Sequence, residues 1–401
     1  MSRATKISEH KKQLSPLKPK ALDPLPEQPL VSILISNHNY AAYLGDAIES
    51  SLRQTYDNLE LIVCDDGSTD ASSDILEGYQ SQDRRIKLIY QGNSGQALAL
   101  NAAFRKSSGQ IICLLDADDV FAPNKLRCVV NSFAGASDSG FAVNRMLRVD
   151  KMRRCSGVIP MLSRLPSGWQ GPSLSFAAPQ MLPGMPPCSG LSLRRPIAEA
   201  IFPLAPGLTA YADTLIQVLA PLITPIVAIE APLSEYRVHG SNTAAVNAFT
   251  EDRLRKLVLW EREIWYAWRQ HLASFSDLAP ELLPSSDVDY SLMAYAYARF
   301  RSDPDSKAVY DAISPRYLRT LPKERKWFWR ASVFMPNWIF RKCFAFIYGQ
   351  TRAKRVVSGI LSSFWSNFQM RKQFFKRTEC TRYRVSNASR NAGLNETAEF
   401  L

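Results

Sequence analysis

Over roughly the first third of the chain, runs of apolar residues alternate with stretches in which apolar residues recur at helical spacing. The apolar runs are rich in β-branched residues and predict four strands, at 30–36, 59–64, 86–90 and 111–115. The stretches between them predict helices at about 42–54, at 96–107, and from the turn after 64 to about 82. This alternation is typical of a parallel sheet wrapped by helices, so the pattern predicts an α/β fold.

The last of these runs carries the densest group of charged residues. Five apolar residues, Ile111–Leu115, are followed at once by Asp116, Asp118 and Asp119. Ligands of open α/β sheets bind at the carboxyl ends of strands, which is where these carboxylates lie. Because crowded carboxylates repel one another, a hard divalent cation shared with substrate phosphates would stabilise them. The alternative is an acidic turn that caps the helix beginning near Pro123.

Two further polar turns end predicted strands. Asn37–Tyr40 follows the first strand, and Asp65 and Asp66 follow the second. The carboxyl ends of parallel strands meet at one edge of the sheet, so we expect all three turns to lie close together. Their coincidence favours a binding site over three unrelated turns.

Composition places limits on the compartment. The chain has 401 residues, 46% of them hydrophobic and 21% charged, which is typical of a globular protein of two or three domains. Its seven cysteines are scattered without a C-x-x-C pair, which argues against a disulfide framework or a zinc site. The N-terminal stretch has no apolar h-region, and no run of 18 apolar residues occurs in the sequence. We therefore expect a cytoplasmic protein.

The positive charge is concentrated near the C-terminal end. The net charge is +12, yet residues 321–390 alone contain sixteen Lys and Arg against two Glu. Between 321 and 380 the basic residues alternate with Trp and Phe, which favours a helix lying on an anionic membrane surface. Alternatives are a helical appendage with its aromatic side chains turned inward, and nucleic-acid binding. No recognition motif accompanies the charge, so no nucleic-acid partner is expected.

Taken together, the motifs of residues 30–240 resemble family 2 glycosyltransferases of the GT-A type. The matching segments are Val31–Ile33, Asn39–Tyr40, Ser51–Tyr56, Glu60–Val63, Asp65–Asp70, Asn93 with Gly95, Asn101, Gly109, Asp116–Asp119 and Tyr236–Asn242. Each segment is weak alone, whereas their joint occurrence in this order is specific. The resemblance implies a GT-A fold, a Rossmann-like, mainly parallel sheet flanked by helices, followed here by a helical C-terminal extension.

The resemblance also implies roles for individual residues. It places Asp118 and His239 at a divalent metal, Mn²⁺ or Mg²⁺, and Arg237 and Asp119 on the diphosphate or donor-sugar side. It places Ser36, Asn39, Asp65, Asp66, Asn93 and Asp116 at the donor nucleotide. Asp119 could instead cap the following helix, and Asp70 is best read as a cap for the helix that follows it.

The same resemblance implies inversion at the sugar carbon, with Asp213 as the catalytic base. Family members carry a Glu-Asp pair at the start of a helix at this position, whereas this chain has Ala212 before Asp213. The base is therefore in place, and a helper carboxylate is missing. The alternative is an Asp placed at a helix N-terminus by the helix dipole.

The implied activity is transfer of a sugar from a nucleotide-diphosphate sugar to a glycan or lipid-linked acceptor, in bacterial cell-surface polysaccharide synthesis. A UDP-sugar is the first expectation for the donor, with GDP- and dTDP-sugars as alternatives. Two other functions compete: a catalytically degenerate nucleotide-sugar-binding or membrane-docked scaffold, and a nucleotidyltransferase. The latter would need a Gly/Arg/Lys-rich phosphate loop after the first strand, and Asn37–Tyr40 is not one.

The domain boundaries follow from these segments. We predict a flexible basic lead-in at 1–29, a GT-A domain at 30–245, a helical basic and aromatic region at 250–390, and a flexible tail at 391–401. The basic region would place the protein peripherally on the inner face of the plasma membrane.

Overall fold

The fold is described from a computed structural model, over residues 18–171, 181–239, 249–275, 291–313 and 323–348. These residues form two compact units. The first contains the described residues up to 239 together with those of 250–333, and the second contains 249 and 334–348. The first unit therefore holds both the sheet and most of the C-terminal helices.

The first unit is built on a mixed sheet. Its strands among the described residues are β1 Val31–Asn37, β2 Leu59–Asp66, β3 Ile86–Gln91, β4 Ile111–Asp116, β5 Val120–Phe121, β6 Phe141–Asp150, β7 Cys155–Ile159, β8 Leu191–Arg194 and β9 Ile226–Val238. They pair in the order β3-β2-β1-β4-β8-β6-β9-β5, and β7 pairs with β6. Strands β1 to β4 run parallel to one another, β9 runs parallel to β6, and β5, β7 and β8 pair antiparallel.

Helices connect and flank the strands. Those of the first unit are α1 Ala41–Leu52, α2 Ser72–Gln82, α3 Gln96–Lys106, α4 Lys125–Gly135, α5 Arg195–Ile201, α6 Ala212–Ile223, α7 Glu251–Phe275, α8 Leu292–Phe300, α9 Ser306–Asp311 and α10 Lys323–Ser332. The four predicted strands and the three predicted helices between them are confirmed to within a few residues at their ends. The predicted α/β fold is confirmed as well.

Alternation along the strands produces two cores. Successive side chains of a strand point to opposite faces, so Ile33 and Ile35 pack on one face of β1 and Leu34 on the other. One face is covered by α1 and α4, the other by α3 and α6. Strands β1, β2 and β4 are buried on both faces, and because they run parallel their carboxyl ends lie at one edge of the sheet.

The helical prediction for 251–300 is confirmed over Glu251–Phe275 and Leu292–Phe300. The second unit contributes α11 Asn337–Tyr348, in which Phe340 and Phe344 are buried and Phe344 packs against Phe249. No helix among the described residues is both long and apolar enough to cross a bilayer. Most of the predicted lead-in, the stretch 349–390 and the predicted tail lie outside the described residues.

Candidate active site

A cleft of about 680 Å³ opens where the parallel strands end. Seven of the residues singled out from the sequence line it together: Ser36, Asn39, Asp66, Asn93, Asp116, Asp118 and Asp213. They come from the ends of β1, β2 and β4, from the turn after β3, and from the start of α6. The structure therefore brings the separate polar turns of the sequence into one site.

Asp66 is held at the cleft wall by three amide donors. The backbone N–H groups of Ser94 and Gly95 donate to its two carboxylate oxygens at 2.8 and 2.7 Å, and Gln91 Nε2 donates at 2.7 Å. Gly95 makes this turn with a positive φ of 93°, and a Cβ there would lie 2.6 Å from Thr209 Cα. Only glycine fits both the angle and the space, so the turn that holds Asp66 depends on it.

Asp65 occupies a different environment and does not line the cleft. Its carboxylate accepts from Asn37 Nδ2 at 2.7 Å and from the Ser68 hydroxyl at 2.6 Å. Asp65 and Asp66 are adjacent in β2, so their side chains point to opposite sides. In this geometry Asp65 braces the turns after β1 and β2, and Asp66 is the carboxylate beside the cleft.

The turn after β1 presents polar groups to the same cleft. Asn39 has a φ of 60°, and its side-chain oxygen accepts from the backbone N–H groups of Thr69 and Asp70. Asp70 in turn accepts from the N–H groups of Ala41 and Ser72, which begin α1 and α2. Asp70 thus holds the starts of two helices, which agrees with its predicted structural role.

His38 lines the cleft and was not selected from the sequence. Its Nδ1 lies 2.9 Å from the Asp66 carbonyl oxygen, which can only accept, so Nδ1 must carry the proton. Its Nε2 then accepts from the side-chain amides of Asn93 and Asn39, at 3.1 and 3.3 Å. His38 therefore links the turns after β1, β2 and β3, a role that no spacing in the sequence indicated.

Three carboxylates crowd the turn after β4. Ligand oxygens of Asp116, Asp118 and Asp119 all lie within 4.8 Å of one another. Burial, then the negative charges of Asp118 and Asp213, raise the pKa of Asp116 to about 8. Burial and the same crowding raise the pKa of Asp119 well above its ordinary value. A positive charge near this turn would therefore stabilise the ionised carboxylates.

Asp119 is anchored by protein groups on both oxygens and does not line the cleft. The Ser189 hydroxyl donates to one oxygen at 2.6 Å, and the backbone N–H of Arg237 donates to the other at 2.9 Å. The Ser189 oxygen also accepts from the Asp116 N–H at 3.0 Å. One buried serine thus holds the two ends of the acidic turn.

A buried lysine supports that serine from below. Lys125 begins α4, is fully buried, and donates its three protons to Asn144 Oδ1, the Ser189 carbonyl and Ser234 Oγ, at 2.8, 2.8 and 3.3 Å. Burial lowers its pKa to about 8. These bonds connect α4, β6 and β9 to the turn before β8, whose Ser189 binds the acidic turn. Lys125 therefore stabilises the part of the core that supports the acidic turn.

His239 and Arg237 lie beside the acidic turn at the end of β9. His239 Nε2 is 2.9 Å from Asp118 Oδ2, and its ring packs on Tyr43 with centroids 4.5 Å apart. Arg237 also lies over the Tyr43 ring, with its Cζ 4.9 Å from the ring centroid, and pairs with Asp46 at 2.7 Å. The two residues share one face, as their alternation in the sequence predicts. His239 adjoins the carboxylates, whereas the guanidinium of Arg237 contacts α1.

Asp213 lies in the first turn of α6, as the sequence predicts. Burial raises its pKa to about 6, while backbone N–H groups, including that of Cys188, hold the pKa below what burial alone would give. The Cys188 thiol donates to Asp116, so Cys188 connects the two carboxylates. Ala212 is fully buried in the core, so the position of the missing glutamate is filled by packing.

Two glutamines complete this side of the cleft, and neither was selected from the sequence. Gln96 accepts from the Ala212 N–H at 3.2 Å, and its amide lies 3.4 Å from Asp116 Oδ1. Gln217 donates to the Pro186 carbonyl at 3.0 Å and to Asp213 Oδ2 at 3.3 Å. Both link segments that are far apart in the sequence, which a single-sequence pattern does not reveal.

The charge of the lining identifies what the cleft can hold. Asp66, Asp116, Asp118 and Asp213 contribute carboxylates, and no Lys or Arg is among the described residues that line it. A diphosphate would be repelled by this lining unless a cation accompanied it. Clustered carboxylates with an adjacent imidazole are ligands that Mn²⁺ or Mg²⁺ accepts, so the residues present fit the predicted divalent metal.

Comparison with known proteins agrees with this arrangement. The family model "Glycosyl transferase family 2" matches residues 32–192. An uncharacterised glycosyltransferase of Nostoc sp. is 37% identical over 235 residues, which are 56% of this chain and 70% of that protein. A putative teichuronic acid biosynthesis glycosyltransferase of Bacillus subtilis, TuaG, is 39% identical over 100 residues, 25% of this chain and 40% of TuaG.

Among solved structures, residues 1–349 of S. aureus TarS in complex with UDP align over 72% of this chain and 78% of that one, at 17% identity and a TM-score of 0.45. That likeness is too low to support an argument about function. The match to the Nostoc protein over most of its length, together with the family model, is sufficient. The chain has the predicted GT-A fold with a helical C-terminal part, and it belongs to glycosyltransferase family 2.

Proposed function

We propose that this chain transfers a sugar, with inversion, from a nucleotide-diphosphate sugar to an acceptor hydroxyl, in a reaction that requires Mn²⁺ or Mg²⁺. The observation that carries the proposal is the cleft itself, in which Asp66, Asp116, Asp118 and Asp213 meet without a lining Lys or Arg among the described residues. Such a lining suits a nucleotide bound together with its metal, and Asp213 is then available to act as a base.

In this proposal the donor lies along the ends of β1, β2 and β4. Asp66, fixed by three amide donors, accepts hydrogen bonds from the base or ribose of the nucleotide, since a carboxylate can only accept. Asp118 and His239 would hold the metal, and Asp116 would contact the ribose or lie beside the metal. The metal, when bound, neutralises the charge that develops on the diphosphate as the glycosidic bond breaks.

Asp213 is the base. Its carboxylate lines the same cleft. Its pKa of about 6 leaves it ionised at neutral pH, and this pKa is close enough to neutral pH for the carboxylate to accept a proton from an attacking hydroxyl. The acceptor oxygen forms the new bond to the sugar carbon, its proton passes to Asp213, and the nucleoside diphosphate leaves. Attack opposite the leaving group gives the inverted product.

The test is release of nucleoside diphosphate from a panel of UDP-, GDP- and dTDP-sugars with Mn²⁺, in wild type and Asp213→Asn. We expect release from one donor class, with a UDP-sugar first, and a loss of roughly 10²- to 10⁴-fold in the variant. Equal release by both proteins would exclude Asp213 as the base. Binding of a nucleotide sugar without any release, whichever acceptor is added, would favour the catalytically degenerate binding protein.

We further propose a glycan or lipid-linked acceptor in the synthesis of a bacterial surface polysaccharide, with the chain in contact with an anionic membrane. The name of the B. subtilis relative supports the first part. Helix α11 supports the second: its exposed residues include Trp338, Phe346, Arg341 and Lys342, and it contains no acidic residue. Trp and Phe beside Lys and Arg suit the headgroup region of an anionic bilayer.

Vesicle sedimentation tests the membrane contact. Wild type should sediment with vesicles of phosphatidylcholine and phosphatidylglycerol and not with phosphatidylcholine alone, and Trp338→Ser with Lys342→Ser should weaken this binding. Sedimentation that is the same for both vesicle types, or for both proteins, would contradict the proposal.

A further inference from the structure

Asp213 stands in a helix that lacks the acidic neighbour usual at this position, and a different side chain contacts it. Gln217 lies one helical turn after Asp213, so both project from the same side of α6. Its Nε2 is 3.3 Å from Asp213 Oδ2 and 3.0 Å from the carbonyl oxygen of Pro186. The amide therefore bridges the helix to the segment that carries Cys188.

The orientation of this amide is fixed by its surroundings. Both neighbours of Nε2 are oxygens that accept hydrogen bonds, so an amide oxygen in the same place would face two acceptors. The N–H groups must point toward Asp213 and Pro186. Gln217 Oε1 is buried and has no hydrogen-bond partner among the described residues. Since an unpaired buried amide oxygen destabilises the fold, packing alone favours an apolar residue here.

We propose that Gln217 is a positioning residue for the catalytic base: its amide holds the Asp213 carboxylate in place and favours its ionised form. The inference rests on the base role of Asp213 proposed above. Gln217 orients the Asp213 carboxylate without adding a second negative charge, so the site needs no carboxylate at residue 212. The full burial of Ala212 fits this arrangement, because its place in the core leaves no room for one.

Three other ionisable groups lie near Asp213, while burial is what works against its ionised form. Asp116 faces it from β4, Cys188 from the turn before β8, and Tyr211 from its own segment. Asp116, whose pKa is about 8, is protonated over the range in which Asp213 titrates, and Cys188 and Tyr211 are neutral there as well. Backbone N–H groups offset the effect of burial, and Gln217 offers Asp213 a further amide donor at 3.3 Å.

The test is a direct titration of Asp213 by NMR, on protein labelled with ¹³C at the aspartate carboxyl carbons. Asp213→Asn identifies the resonance, and Gln217→Met removes the N–H donor while keeping the length of the side chain. We expect a wild-type midpoint near pH 6 and a midpoint about 0.5 pH unit higher in Gln217→Met, since a long hydrogen bond to the ionised form is lost. An unchanged midpoint in a folded variant would overturn the proposal.

A matched control separates positioning from stability. Gln54 is also buried, and its amide bonds to the Ser50 and Ala122 carbonyls, away from Asp213. Gln54→Met should lower the melting temperature and leave the Asp213 midpoint unchanged; a shift equal to that of Gln217→Met would overturn the proposal. Should Gln217→Met not fold, Gln217→Leu replaces it and should raise the midpoint by a similar amount; an unchanged midpoint would again overturn the proposal.

The proposal and the function on which it rests fail in different ways. Nucleotide release that survives Asp213→Asn would remove the base role, whatever the titration shows. Loss of release in Asp213→Asn together with an unchanged midpoint in Gln217→Met would keep the base and refute the role of Gln217.

Discussion

Replacing Ser189 by alanine should show how strongly the acidic turn depends on one hydroxyl. Ser189 is fully buried, accepts from the Asp116 N–H at 3.0 Å and donates to Asp119 Oδ2 at 2.6 Å. Ser189→Ala keeps the backbone and the burial and removes both bonds. It leaves an amide donor and a carboxylate oxygen without this partner.

The magnitude follows from those two losses. A hydrogen bond contributes about 0.5–1.5 kcal/mol, and an unsatisfied buried amide costs about 1–3 kcal/mol. Allowing for relaxation of the turn, we expect the free energy of unfolding of the metal-free protein to fall by roughly 2–4 kcal/mol. Because the same bonds orient Asp116 and Asp119, affinity for Mn²⁺ should fall as well.

Urea denaturation followed by tryptophan fluorescence measures the change, and Ser51→Ala is its matched control. Ser51 is equally buried, but among the described residues its hydroxyl bonds only to the Ala47 carbonyl of its own helix, so its loss should cost less than about 0.5 kcal/mol. The reasoning would be refuted if Ser189→Ala destabilised the protein no more than Ser51→Ala does, or left the calorimetric affinity for Mn²⁺ unchanged.

Three further predictions follow from the same geometry. Burial raises the pKa of Asp213 to about 6, and the base must be ionised to act. The transfer rate should therefore be level well above pH 6 and fall about tenfold per pH unit below it. A rate that does not change between about pH 5 and about pH 7 would contradict the assignment of Asp213 as the base. Gly95→Ala should weaken UDP binding and lower the melting temperature, since a Cβ would lie 2.6 Å from Thr209 Cα; an unaltered binding isotherm would show that Asp66 does not need this turn. Ala212→Glu should destabilise the fold by several kcal/mol, because it buries a charge in a packed core; a stable variant with higher activity would show instead that the helper carboxylate can be restored.

Much of the fold could be predicted from the sequence, because the signals are local. Strands β1, β2 and β4 are largely apolar runs buried on both faces, β3 is only partly buried, and the helices between the strands carry their own periodicity. Parallel strands place their carboxyl ends at one edge, so even the gathering of the polar turns followed from pattern. The antiparallel part was less accessible, since β8 pairs with β4 across about 80 residues and gives no local signal.

The site divides in the same way. Asp66, Asp116 and Asp118 could be found because carboxylates directly after strands are conspicuous, whereas Asp213 was indicated by the resemblance to family 2 glycosyltransferases. The sequence analysis assigned Asp65 and Asp66 the same role. Successive side chains of β2 point to opposite sides, so Asp66 lines the cleft and Asp65 binds Asn37 in the turn after β1. The connecting groups were missed, because His38, Gln96 and Gln217 are ordinary polar residues until the fold brings their partners to them.

Metal-dependent binding of a nucleotide is the central claim, and calorimetry of UDP and GDP with and without Mn²⁺ tests it most directly. With wild-type protein, one nucleotide, UDP in the first instance, should bind in the presence of Mn²⁺ and bind at least tenfold more weakly without it, roughly 1.4 kcal/mol or more. Asp118→Ala should lose the metal-dependent part while remaining folded. Binding that ignores Mn²⁺, or that survives unchanged in Asp118→Ala, would contradict the account, and absence of binding by a folded protein would favour the scaffold in its place.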